Sequence, residues 1–420
     1  MPINFAEMSA GRVVIFDGGM GTMLSARGLP DGKLCEDANI TLPSLVTGVH
    51  RDYLAAGADI IVTNTFQASE FKVEDVEGVV AAAVGCARKA GAKYVGLDIG
   101  PTGKMLAPIG ELGFERAVGV FSRIAGAGEA AGVDFILIET FASIHEAKAA
   151  VLAVRETAHL PVVCTMTFEE NGRSFMGCTP ATAAITLEGL GVAAIGLNCS
   201  SGPVQLLPIV REMLNYTRLP LLVQPNAGLP VMRDGRPTYD LTPDEFAEKL
   251  GEMADLGVAM VGGCCGTTPE HIRALAARLA LKPRVTPTPP DFTACTGSQE
   301  ALIFDGSPIK LSGQLSADTT DPEEIIDLAI DMAEDDDIKL IHLSGEHPDN
   351  LVRAVLGIQS VVGLPLLIES KNPEALDCAL RVYAGRAAVA KNPSGGDGIA
   401  ASLSKYGGIE LSKTADGWVV

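Results

Sequence analysis

Positive charge is scarce in this chain. Its 420 residues carry 32 Lys and Arg against 52 Asp and Glu, a formal charge of −20. A nucleic-acid binder needs a basic footprint, and none is visible. Binding to anionic membrane surfaces is disfavoured for the same reason. Aromatic residues are also few, at 5%, so the core should be aliphatic. No uninterrupted apolar stretch reaches the roughly 18–20 residues that span a membrane. The opening run, Met1 to Met8, has neither a basic start nor an apolar segment, so no signal peptide is expected. These absences together predict a cytoplasmic chain.

Glycine, by contrast, is abundant at 46 residues, and 47% of the chain is hydrophobic. That suits closely packed α/β units with short turns. Up to residue 283, short apolar runs alternate with longer amphipathic ones. The strand candidates are Val13–Asp17, Asp59–Thr63, Tyr94–Asp98, Asp134–Glu139, Val162–Thr167, Ala193–Asn198, Leu221–Gln224 and Ala259–Gly263. Helical patterns follow, among them Phe114–Ala131, Ser143–Thr157, Pro243–Leu256 and Pro269–Ala280. Alternating β-α units argue for a parallel sheet. Eight of them within about 250–280 residues is the size of a (β/α)8 barrel. An open, doubly wound sheet is the second choice.

The predicted domain division is 1–283 for the barrel, 284–300 for a linker and 301–420 for a smaller α/β, half-barrel-like domain. The linker is marked by Pro283, Pro287, Pro289 and Pro290. Beyond it, strands Lys339–Leu343, Pro365–Glu369 and Arg386–Val389 alternate with helices Pro322–Glu334, Asp349–Val361 and Pro373–Tyr383. Some 120 residues make about half a barrel. Half a barrel leaves sheet edges to cover, which suggests docking or self-association.

Polar residues cluster where the predicted barrel strands end: Asp17, Asn64, Asp98, Glu139, Asn198, Cys199, Gln224, Cys264 and Cys265. In a barrel those ends share one mouth. None of the six histidines falls there, which leaves a His-based triad without support.

Nine cysteines in a long, core-rich chain do not look like a disulfide framework. Cys264 and Cys265 are adjacent, flanked by Gly263 and Gly266. Cys199 ends strand six while that pair ends strand eight, and alternate strands of a barrel feed a common layer. Three thiolates on one zinc leave a fourth position free. Zinc deprotonates a thiol outright, whereas a free thiol at neutral pH is only a few per cent thiolate. The alternative is three buried thiols without metal.

The turn Asp17-Gly18-Gly19-Met20-Gly21-Thr22 follows strand one directly. It reads as a carboxylate cradle of backbone N–H groups, with Asp17 accepting from a substrate ammonium, or as a tight turn without a ligand. It lacks the third glycine of a dinucleotide fingerprint, since position 24 is Leu. Glu139 ends a strongly apolar strand, where a carboxylate needs a partner. Either a substrate amino group or an internal Arg or Lys would serve.

Five segments, taken in order, carry a resemblance: Asp17–Thr22, Thr63-Asn64-Thr65-Phe66, Glu139-Thr140-Phe141, Gly196-Leu197-Asn198-Cys199 and Gly262-Gly263-Cys264-Cys265-Gly266-Thr267. They resemble the zinc-dependent homocysteine S-methyltransferase family over about residues 10–282. Within it they look closest to the N-terminal module of cobalamin-dependent methionine synthases. The resemblance implies zinc on Cys199, Cys264 and Cys265, and homocysteine as methyl acceptor. It also implies Asp17 and Glu139 on the substrate amino group, with Gly18, Asn64 and Asn198 lining the substrate site. Betaine-using members carry tyrosine after the phenylalanine, where this chain has Gln67, so betaine is a poor donor candidate. Residues 365–389 resemble part of a pterin-binding barrel, without its usual site signatures. No Asp-x-His-x-x-Gly cobalamin motif occurs. The expected donor is therefore a methylated corrinoid on a separate polypeptide, with cobalamin supplied in trans, or a small onium compound such as S-methylmethionine. The alternative is a non-catalytic subunit or scaffold that docks through the C-terminal segment. A homo-oligomer fits either reading.

Overall fold

Short runs of Val, Ile, Leu and Ala, each ending in a polar residue, form strands that can be buried on both faces, as a parallel sheet demands. The computed structural model describes residues 3–419 apart from 31, 234–235, 281, 307–308, 310, 392–396 and 415–416. All eight expected strands are present: β1 (Val14–Ile15), β2 (Ile60–Val62), β3 (Tyr94–Ile99), β4 (Phe135–Phe141), β5 (Val162–Met166), β6 (Ala194–Asn198), β7 (Leu221–Gln224) and β8 (Met260–Val261). They lie side by side in the order β1-β8-β7-β6-β5-β4-β3-β2. A parallel bridge between Phe16 and Ile60 joins the two ends, so the sheet closes into the (β/α)8 barrel.

The barrel interior is filled by Val14, Phe16, Ile60, Phe135, Leu137, Val163, Leu222 and Met260. Phe5, from a short helix ahead of β1, meets Phe135 edge-on at 5.0 Å and joins that cluster. The surrounding helices stop where the sequence stops them. Gly57 and Gly132 take φ of 108° and 82° directly after Pro43–Ala56 and Phe114–Ala131. Only glycine enters that region without strain.

The stretch expected as a linker is only partly irregular. Thr293–Thr296 is a strand paired antiparallel with Ala301–Phe304, a hairpin that proline content had obscured. After it comes a six-stranded sheet in the order Leu311–Ser316, Leu340–Ser344, Leu366–Glu369, Ala388–Ala390, Ile409–Thr414 and Gly417–Val419. All pairs are parallel except the last. The expected open edges are largely absent: the sheet curls until Ile309 bridges Trp418.

This second module sits against the barrel helices. The helix Ile144–Thr157 is buried continuously from Glu146 to Val154. Within it Lys148 is 1% exposed, and its ammonium donates to the Leu380 and Tyr383 carbonyls at 2.7 and 2.8 Å. Arg381 clamps Glu115 and Glu156, each at 2.6 Å. Hydroxyls of Thr186 and Thr296 meet at 2.8 Å. Among the described residues no helix is long and apolar enough to cross a membrane.

Candidate active site at the barrel mouth

Strands β6 and β8 deliver the three cysteines to one place. The sulfurs of Cys199, Cys264 and Cys265 all lie within 4.8 Å of one another, and all three residues are partly accessible. Backbone geometry holds them there. Cys199 and Ser200 take φ of 57° and 60°, a strained conformation for non-glycine residues that persists only where the surroundings enforce it. The Cys199 N–H donates to the Gln224 carbonyl at 3.0 Å, Cys264 N–H to the Pro225 carbonyl at 2.9 Å and Cys265 N–H to Asn226 Oδ1 at 3.0 Å. The loop after β7 therefore sets both cysteine segments.

The trio is electrostatically a single unit. Hydrogen bonds from Cys199 and Cys264 hold the Cys265 thiol down at about 3. Bonding to Cys199 and then Cys265 pushes Cys264 well up. One thiolate forms readily and further ones are resisted, unless a cation sits among them. Three sulfurs bound to one zinc at about 2.3 Å would lie about 3.8 Å apart in tetrahedral geometry, so the observed cluster fits that ion. The Tyr239 hydroxyl also hydrogen-bonds Cys265. Tyr239 sits in the loop before the helix Pro243–Asp255, and no motif in the sequence points to it.

Acids surround the cluster. Asp17 is 4% exposed and its Oδ2 accepts from the Val62 N–H at 3.0 Å. Burial raises its pKa well above the usual carboxylate range. Burial, then the charge of Cys199, pushes Glu139 up to about 8. Asp98, noted above at a strand end but not assigned a role, is also raised by burial and then by Glu139, Glu36 and Asp17. Its Oδ1 has no hydrogen-bond partner, nor has Gln224 Oε1. Among the described residues no Lys or Arg pairs with Asp17, Asp98 or Glu139, so the internal-cation reading of Glu139 finds no support. Several buried carboxyls without a cation make a site that favours one.

The remaining expected residues build the frame. A Cβ on Gly18 would fall 2.7 Å from Thr267 Oγ1 and 2.9 Å from the Tyr53 ring, so only glycine fits. The Gly19 N–H of the expected cradle is already used by Thr267 Oγ1 at 2.9 Å. Asn64 Nδ2 donates to the Cys35 carbonyl at 2.7 Å and to Asn39 Oδ1 at 3.1 Å. Asn198 spends its amide on Thr140 and Thr165. His271 stands outside the mouth and ties Thr268 to the Leu241 carbonyl.

The family model for homocysteine S-methyltransferases matches residues 14–279. The chain belongs to that family. Among curated relatives, methionine synthase of Mycobacterium tuberculosis is 30% identical over 96% of this chain and 37% of its own length. That of Mycobacterium leprae is 35% identical over 66% of this chain and 25% of its own length. The chain thus spans little more than a third of these proteins at most. Among solved structures, the oxidised form of the Escherichia coli homocysteine methyltransferase MmuM superposes with a TM-score of 0.57 at 23% identity, covering 66% of this chain and all of that one. Its metallated form gives 0.55 at 24% identity, covering 65% and 98%. At that identity the likeness speaks for the fold of this family member.

Proposed function

We propose that this homocysteine S-methyltransferase family member transfers a methyl group to the sulfur of homocysteine, giving methionine. The observation that carries the reading is the meeting of three sulfurs with the buried Asp17 and half-buried Glu139, carboxyls that no Lys or Arg pairs among the described residues, at one barrel mouth. A soft anionic cluster beside a cation-seeking pocket suits an amino acid that ends in a thiol.

Cys199, Cys264 and Cys265 would hold zinc, as the all-sulfur donor set favours; one similar protein was solved in a metallated form. Bound there, zinc would deprotonate an incoming thiol and present its sulfur on the open side. Asp17 and Glu139 receive the substrate ammonium, whose positive charge returns both carboxyls to their ionised state. Gly18 lets the chain approach closely, while Asn64 and Asn198 hold the loops that carry these groups. The homocysteine sulfur forms the new bond to the methyl carbon as the donor's bond breaks. The donor leaves with that electron pair, so the step itself needs no general base. The donor is a methylated corrinoid or a small onium such as S-methylmethionine.

Residues 1–283 carry this chemistry, and 301–420 brace the barrel. The scaffold reading loses its main motive, because the edges of the second sheet meet at Ile309 and Trp418. Nine free cysteines suit a reducing cytoplasm. The deciding experiment is turnover of homocysteine with methylcobalamin, methyltetrahydrofolate, S-methylmethionine and betaine, each alone. Methionine from the first or third supports the reading. Turnover with betaine alone overturns the donor assignment, and no turnover with any, in zinc-loaded protein, overturns the activity.

A further inference from the structure

A cavity of about 230 Å³ lies at the seam between the barrel and the second module. Met105 and Ile109 from the segment after β3, Phe175 and Met176 from the segment after β5, and Gln299 and Leu356 from the second module form its walls. None of the eight residues expected at the substrate site lines it, although Thr140, next to Glu139, does. Three of the wall residues are large apolar side chains left in water: Met105 at 47%, Ile109 at 50% and Phe175 at 71% exposure. Apolar chains gathered at the rim of a concave, mostly apolar pocket mark a binding site. The proposed methyl transfer gives this cavity no task.

The polar groups around it define the occupant. Glu146 Oε1 accepts from both the N–H and the hydroxyl of Thr102 at 2.9 and 2.6 Å, and burial raises the pKa of its carboxyl. Burial keeps His145 neutral, with its titration near 4, and its Nε2 has no hydrogen-bond partner. The Lys104 ammonium lies 4.5 Å above the Phe71 ring. Gln359 uses its whole carboxamide on the N–H and carbonyl of Ala384. No buried Lys or Arg lines the wall to pair with a ligand. The Gln299 carboxamide makes no hydrogen bond among the described residues, so it and the His145 Nε2 remain available in the wall. The volume equals about eight waters at about 30 Å³ each, room for a bicyclic ring.

We propose that this seam cavity is a second ligand site, which takes an uncharged, mainly apolar ring compound with an amide-like hydrogen-bonding edge. The probes are 2-naphthamide and its charged isosteres, 2-naphthoate and 2-naphthylmethylammonium, titrated calorimetrically into the full chain without homocysteine. The expected result is one saturable site for the amide, with each charged isostere at least about tenfold weaker, since burying an unpaired charge is costly. Leu356→Trp, which fills the cavity from the second module, should abolish binding. Gln299→Ala should weaken the amide about three- to tenfold. Both variants are checked for an unchanged melting transition, and Ser360→Phe serves as a second filling variant if Leu356→Trp melts early. A charged isostere binding as tightly as the amide, or amide binding that survives a folded filling variant, overturns the proposal.

Discussion

Asn198 and Thr140 clasp each other at two points. Asn198 Oδ1 accepts the Thr140 N–H at 2.9 Å, and Asn198 Nδ2 donates to Thr140 Oγ1 at 2.7 Å. Thr140 has φ of 66°, and the next residue after Asn198, Cys199, is strained as well. The clasp therefore fixes Glu139 and Cys199 relative to each other across β4 and β6. Asn198→Ala removes both bonds, and with them the one from the Thr165 hydroxyl, and leaves the Thr140 N–H unpaired, at about 1–3 kcal/mol. Its kcat/KM for homocysteine should fall at least tenfold while zinc remains bound. Thr140→Gly relieves the strained φ and keeps the N–H bond, so its melting temperature should stay near that of the parent. Steady-state kinetics beside metal analysis checks both; an Asn198→Ala enzyme with parental kcat/KM contradicts the clasp.

Metal content should follow the cysteines. Cys264→Ser should lose both zinc and turnover, because two sulfurs rarely hold the ion alone. Elemental analysis of the purified protein should give one zinc per chain in the parent and well under half of that in the variant. Removal of zinc by a chelator should abolish turnover and re-addition restore it.

Stability should decline in mild acid through His50. Both ring nitrogens of this fully buried residue lack partners, and burial lowers its titration to about 4, against about 6.5 in an unfolded chain. Between those values the unfolded chain holds the proton and the folded one does not, so stability falls as pH drops from 6.5 towards 4. At about 1.4 kcal/mol per unit, the contribution is on the order of 3 kcal/mol. In urea titrations across that range His50→Leu should lose correspondingly less stability than the parent; an identical decline refutes the assignment.

The seam between modules should be worth several kcal/mol without touching chemistry. Lys148→Ala leaves the Leu380 and Tyr383 carbonyls without their donor, at about 1–3 kcal/mol. Arg381→Ala breaks the clamp on Glu115 and Glu156. Each should lower the melting temperature while leaving the KM for homocysteine within about twofold. A large KM change would mean that the second module shapes the substrate site directly.

Much of the barrel was legible because its strands are short apolar runs that give way to polar residues, several of them at a glycine or proline turn, and β1 to β8 appear within a residue or two of their expected places. The second module was harder to read. Leu311–Ser316 and Ile409–Thr414 mix serine, glycine, lysine and glutamate with single aliphatics, and such alternation is a weak strand signal without a partner to pair with. Asp98 stood among the strand-end polar residues, but sequence could not show that its carboxyl has no partner. Tyr239 carried no signal, because the chain reaches Cys265 through a loop contact rather than a motif.

Sequence by itself determined the period of the β-α units, the family motifs and the identity of the three thiols, since these depend on residue type and local spacing. Tertiary structure alone decided that the sulfurs meet within 4.8 Å, that Asp17, Asp98 and Glu139 come together with no Lys or Arg pairing them among the described residues, and that the second sheet curls onto itself and seals a barrel helix. Those outcomes depend on closure of the sheet and on burial, which act between residues tens to hundreds of positions apart.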